Sequence, residues 1–295
     1  FIRANAFPQI VENWPPMRPP LSGKFADMAE YTIYSDDSGA GDHRFHALTL
    51  VAVPTYEVAE LNEQLGALVE ATGTSCTEWK KVGRQVKYTQ ACRALLQATS
   101  SLVTQYGVRF QTVIWDMHDA RHAVQYRDDA SNKAYMYRVA LVDLVKRHAI
   151  TDITWHPDTE MGLDHVRVAS DVMSHIRFGV SFTRIGQSRP EDSPFLQLAD
   201  LNAGLWRCYY EKLEPGREWY NAGRPMGCPS CSWSRRETEQ YNLMVWYIAL
   251  LKNGGTTFER LNGWLKTPAY GHRPFNVWPY MPQHNADRAP RRKSA

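Results

Sequence analysis

The chain has 295 residues, 43% of them hydrophobic, and a net charge of +3. That supplies a sizeable core for one large domain or two small ones, and the chain should fold on its own. No apolar run approaches the roughly 20 residues needed to cross a bilayer, and the first residues lack the charged-then-apolar order of a signal peptide, so a cytoplasmic setting without a membrane partner is expected. Five scattered cysteines, Cys76, Cys92, Cys208, Cys228 and Cys231, exclude an ordinary disulfide framework, and Cys228-Pro-Ser-Cys231 is only half of a zinc knuckle.

Residues 1–28 form a Pro-rich N-terminal arm, with Trp14 and Met17 interleaved among prolines and no helical or strand periodicity. Regular structure is expected from Glu30, where Tyr31 to Ser35 reads as a strand running into Asp36-Asp37-Ser38-Gly39. Phe45 to Val53 is apolar on both faces, so both must be covered, and the short polar link before it suits an antiparallel hairpin. Val58, Leu61, Leu65 and Leu68 make one helical stripe and Tyr88, Cys92, Leu95, Thr99 and Leu102 another, with Glu78-Trp79-Lys80-Lys81 between them.

Strand and helix then alternate, the pattern of an α/β domain with parallel neighbours. Val108 to Trp115 reads as a strand, Tyr135 to Val145 as a helix, Asp152 to His156 as a strand, Leu163 to Ile176 as a helix and Val180 to Ile185 as a last strand. Asp116 and Asp158 follow two of these strands, and in open α/β sheets ligands sit beyond the carboxyl ends of strands.

Ser193 is placed as an N-cap and Pro194 at the first position of a helix that is apolar on nearly every side. Gln197, Asp200, Gly204 and Arg207 form its one polar strip, and Gly204 leaves room for something to approach one turn beyond the carboxylate. A buried Asp200 requires a cation, a proton or water. A salt bridge to Arg207 is the structural alternative.

Past residue 212 a Gly/Pro/Cys-bearing connection leads to a further helix with a stripe of Tyr241, Val245, Ile248 and Leu251, ended by Gly254-Gly255. Thr256 to Glu259 resembles the capping box of a short successor, and from Thr267 a Pro- and aromatic-rich tail is expected to lie over the body. Arg288, Arg291, Arg292 and Lys293 then leave the rest of the chain nearly neutral, and such a basic end can hold phosphates through salt-sensitive contacts.

Carboxylates at the end of a first strand, of later parallel strands and on a packed helix can converge, and several acids within a few ångströms repel unless a divalent cation joins them. Oxygen-only ligands select Mg²⁺ or Mn²⁺, and two such ions activate a water and stabilise a leaving oxygen in phosphodiester hydrolysis. Each acid also has a structural alternative. Asp36 can belong to a hairpin turn, Glu78 can pair with Lys81, and Asp116 or Asp158 can cap the helix that follows.

Tyr34-Ser35-Asp36-Asp37-Ser38-Gly39, Glu78-Trp79-Lys80 and Leu196-Gln197-Leu198-Ala199-Asp200-Leu201 resemble the family labelled domain of unknown function 3800, over roughly residues 29–212. The resemblance implies an α/β, ribonuclease H-like mixed sheet with helices on both faces, followed here by a helical extension and basic tail over residues 213–295. It also implies a divalent-metal site with Asp36, Glu78 and Asp200 as ligands, and either Asp116 or Asp158 as the third strand acid. Asp37 stands where that family usually has Glu. The expected activity is a metal-dependent nuclease acting on RNA or DNA, with Lys80, Lys81, Ser38 and Gln197 meeting substrate. The alternative is a non-catalytic nucleic-acid- or protein-binding module on the same fold.

Overall fold

The computed structural model describes residues 29–39, 43–118, 129–159, 163–177, 179–221, 234–261, 264–268 and 273–280. The Pro-rich arm, the Cys228/Cys231 pair and the basic tail lie outside the described residues. Two ten-residue strands, β1 (Ala29–Ser38) and β2 (Phe45–Pro54), form an antiparallel pair. Asp36 and Asp37 face Thr49 and Leu48 in its register, so both are strand residues and neither belongs to a turn. Strand β3 (Arg109–Asp116) continues the meander antiparallel to β2, while β4 (Ile150–Pro157) runs parallel to β1 on its other side. β5 (Ser181–Ile185) adds to β4 in parallel.

The α-helices are α1 (Val58–Glu70), α2 (Val86–Gln105), α3 (Asp129–His148), α4 (His165–His175), α5 (Pro194–Asn221) and α6 (Arg235–Asn253). Two departures from expectation concern the C-terminal third. Thr256 to Glu259 does not open a helix: Glu259–Leu261 is β6, which pairs with β7 (Trp264–Lys266) as a small antiparallel hairpin. Nor is Ile185 the end of the main sheet, because β8 (Phe275–Pro279) joins it parallel to β3. The six-stranded order is β5-β4-β1-β2-β3-β8, with β2 alone running against the rest. The expected boundary after residue 212 falls inside α5, and β8 comes from beyond it.

Period-two alternation explains why β2 is apolar throughout. Ala47, Val51 and Val53 pack with Tyr34, Phe110 and Ile114 under α1, α2, α5 and α6, whereas Leu48, Leu50 and Ala52 pack with Ile33, Val113 and Trp155 under α3 and α4. Helix α5 is buried around most of its first four turns because the sheet, α1, α2 and α6 surround it. Among the described residues no helix is long and apolar enough to cross a membrane.

Helix α6 starts on a reciprocal cap. Ser234 Oγ accepts from the Glu237 N–H at 3.2 Å, and Glu237 Oε2 accepts from the Ser234 N–H at 2.9 Å. Lys212 Nζ, 2.6 Å from Glu237 Oε1, is the first cause holding that carboxyl down to about 2. Ser234→Ala should cost about 1 kcal/mol, read as a lower melting temperature. An acid with a depressed folded pKa stabilises above its unfolded value and loses that contribution as pH falls through the folded one. The deficit of Glu237→Gln should therefore shrink between about pH 4.5 and 2.

Candidate metal centre

Because β1, β3 and β4 are mutually parallel, their C-terminal ends share one edge of the sheet, and the strand acids fall there. Alternation sorts them by face. Tyr34 stacks on Phe195 of α5 at 5.2 Å, and Asp36, two residues on, turns to the same side. Asp37 turns the other way, where Lys133 of α3 pairs with it at 3.0 Å. The Asp158 N–H donates to Ser35 C=O at 2.8 Å, so the first residue after β4 is pinned beside the end of β1. Asp200 lies nearly two turns into α5, the helix that crosses this face of the sheet.

Burial first, then the charges of Asp200, Asp158 and Asp37, push the Asp36 carboxyl well above the usual range, against one N–H donated by Asp37 at 2.6 Å. Asp200 is pushed up to about 7 by burial, although its Oδ2 accepts the Trp79 N–H at 2.5 Å; Glu78 and Asp158 add to the rise. Asp158 is raised by burial and by Asp37, Glu191 and Glu78. The charge of Asp158, at the end of β4, thus reaches both Asp36 of β1 and Asp200 of α5, and that of Asp200 reaches Asp36.

Glu78 joins them through the short turn Trp79–Lys81 that follows it. Burial raises its carboxyl, but the ammonium groups of Lys80 and Lys81 outweigh burial and hold it below the usual range. Lys81 Nζ is 2.5 Å from Glu78 Oε1 and Lys80 pairs with the other oxygen, so Lys81 is one of two partners. Lys80 is largely exposed and its charge reaches Asp200.

Asp116 stands apart. Strand β2 separates it from β1, and Arg44 grips both of its oxygens, with Nη2 to Oδ2 at 2.8 Å and Nε to Oδ1 at 3.2 Å. Of the two strand acids left open by the sequence, Asp158 is the one brought beside Asp36 and Asp200. Among the described residues neither caps a helix, whereas Asp164 caps α4, its Oδ1 accepting the Arg167 N–H at 2.9 Å.

Two further expected substrate contacts are engaged within the chain. Ser38 Oγ accepts from Arg207 Nε at 2.9 Å, and Arg207 also pairs with Glu211, so it does not neutralise Asp200. Gln197 is buried, its Oε1 accepting the Thr77 N–H at 3.0 Å and its Nε2 donating to Pro190 C=O at 2.9 Å. The space left by Gly204 is filled by Trp79, whose Cβ is only 2.5 Å from where a Gly204 Cβ would stand.

Sequence reasoning missed Cys76 and Glu191, which with Glu78 place three ligand-type atoms within 4.8 Å of one another. Burial keeps the Cys76 thiol at about 11, a protonated and poor donor. Asp36, Asp158, Asp200 and Glu78 present oxygen alone, which suits a hard divalent cation, and such a cation would offset the repulsion that raises the aspartates.

No family model matches the chain. Two proteins of Methanothermobacter thermautotrophicus are similar to it. "Uncharacterized protein ORF2'" is 26% identical over 280 residues, covering 87% of this chain and 96% of the relative, and "Uncharacterized protein ORF2" is 26% identical over 286 residues, covering 88% and 97%.

Proposed function

We propose that the chain is a divalent-metal-dependent nuclease, with a ribonuclease H-like sheet of the kind its likeness to the domain of unknown function 3800 family implies. The β1-β2-β3 meander with β4 and β5 added in parallel beside β1 supports the fold reading. The observation that carries the activity is the convergence of acids at the carboxyl edge of parallel strands: Asp158 is pinned beside the end of β1, Asp200 is held by the Trp79 N–H next to Glu78, and the charges of both reach the buried Asp36. Buried acids that repel one another are costly to ionise, and a bound cation would offset that cost.

Asp36 and Asp200 would be the inner ligands of Mg²⁺ or Mn²⁺, with Glu78 and Asp158 completing the set. When bound, the metal supplies a water of lowered pKa and stabilises charge on the phosphodiester oxygens. The protein's part is to hold its acids ready. The Asp37 and Trp79 N–H groups fix one oxygen each of Asp36 and Asp200, and the second oxygen of each would be the one to hold a cation. Lys80 and Lys81 hold Glu78 ionised, and the exposed Lys80 ammonium can shift to a substrate phosphate. Asp116, already clamped by Arg44, supports the β2–β3 edge in this reading.

The test is a cleavage screen on single- and double-stranded RNA and DNA with Mg²⁺, Mn²⁺ or EDTA. Cleavage with either metal and none with EDTA is expected. Tight nucleic-acid binding without cleavage under any metal would instead establish a binding module on this fold.

A further inference from the structure

Gln197 lies one helical turn before Asp200 on α5 and is 1% exposed. Its two polar ends hold two different segments of backbone. Oε1 takes the N–H of Thr77, the residue immediately before Glu78. Nε2 donates to the C=O of Pro190, two residues after Ser188. Ser188 in turn brackets Asp158, its N–H donating to Pro157 C=O at 3.0 Å and its C=O accepting from Thr159 N–H at 3.1 Å. One carboxamide therefore ties together the segments that carry Glu78, Asp158 and Asp200.

We propose that Gln197 is a positioning residue of the carboxylate centre, setting the spacing of Glu78 and Asp158 against Asp200. This rests on the metal-centre reading above. The chemistry of the position favours glutamine. Thr77 requires an acceptor and Pro190 a donor, so one neutral amide satisfies both. Glutamate would accept from Thr77 but could not donate to Pro190 when ionised, and it would add another buried anion to acids that already repel. Asparagine has the same groups on a stem one methylene shorter, too short to hold both segments at their present separation.

Calorimetric titration with Mn²⁺ tests this without requiring activity. Gln197→Met keeps the side-chain length and apolar packing and removes both bonds; Gln197→Asn keeps the amide and serves if the methionine variant does not fold. Tyr247→Phe is the control, because it deletes a buried hydroxyl bonded to Thr99 and to Asn202, which lies about 200° around α5 from Asp200, and should lower stability alone. Outer-shell partners of metal ligands are worth about 10–100-fold in affinity, so both Gln197 variants should weaken Mn²⁺ binding by that factor while Tyr247→Phe stays within about twofold of wild type. If the folded Gln197 variants bind Mn²⁺ as wild type does while Asp36→Asn does not, the positioning role is overturned and the metal centre stands. If Asp36→Asn also binds as wild type, both are overturned.

Discussion

Asp36→Asn and Asp200→Asn should each raise the melting temperature of the metal-free protein at pH 8 while lowering metal-dependent cleavage by about 100-fold or more. The two effects have one origin. Each aspartate is carried above its ordinary pKa by burial and by its acidic neighbours, so at pH 8 the fold must hold there either a charge or a proton at a cost the unfolded chain does not meet. An acid with a raised folded pKa stabilises the fold fully below its unfolded value, and that stability is lost as pH rises through the folded value. For Asp200 the window runs from about 3.8 to about 7. Asparagine keeps an oxygen for the Trp79 or Asp37 N–H and carries no charge. A gain of 1 kcal/mol or more corresponds to roughly 2–4 °C in a domain of this size. The advantage should vanish below about pH 4, where the aspartates are protonated in both states. Thermal scans at pH 3.5 and pH 8 with EDTA decide it: a lower melting temperature at pH 8, or a gain that ignores pH, would remove the electrostatic basis of the site.

Gly204→Leu should be costly despite putting the better helix former into α5, which alone is worth up to roughly 1 kcal/mol in its favour. A side chain at 204 collides with the root of the Trp79 side chain, which cannot swing away without lifting the Glu78–Lys81 turn off the helix. Overpacking of this kind costs about 1–3 kcal/mol, and lifting the turn also breaks the Asp200 bond to the Trp79 N–H, so Mn²⁺ affinity should fall with stability. A double-mutant cycle separates the causes. In a Trp79→Gly background the added penalty of Gly204→Leu should largely disappear, because the Cβ, Cγ and Cδ1 atoms that stand in the way are all gone. Equal penalties in both backgrounds would show that Trp79 is not what Gly204 accommodates.

The strands and helices of the central α/β region were legible because burial on one or both faces leaves a period that residue types obey; β2 and the stripe of α5 are the clearest cases. Asp200 could be singled out as an acid on a nearly all-apolar helix and Asp36 as an acid at a strand end, whereas Glu78 was singled out only through the likeness to the domain of unknown function 3800 family. The choice between Asp116 and Asp158 could not be made, since it depends on which strand neighbours β1, a fact of sheet order that no local pattern encodes. Gln197 was expected to meet substrate and is instead engaged within the chain, and Gly204 was expected to admit something whose identity could not be named. Gln197 bonds the Thr77 N–H and Gly204 accommodates the Trp79 side chain, both on a segment about 120 residues earlier in the chain, and a pairing over that separation leaves no periodic trace. Strand β8 was missed for a similar reason: Phe275–Pro279 is short, begins among prolines and aromatics, and becomes a strand only because β3 offers it an edge.

That late strand has a consequence for how the molecule comes into being. Strand β3 is synthesised with β2 on one side, and the N–H and C=O groups on its other side wait for residues more than 150 positions downstream. During synthesis at about 5–20 residues per second, they wait for several seconds or longer. Throughout that interval the nascent chain carries an open, apolar strand edge of the sort that pairs with other chains. Completion of the sheet is thus coupled to synthesis of the chain through β8, and the long-range β3–β8 closure, with its high loop entropy, is a natural slow and aggregation-exposed stage of folding.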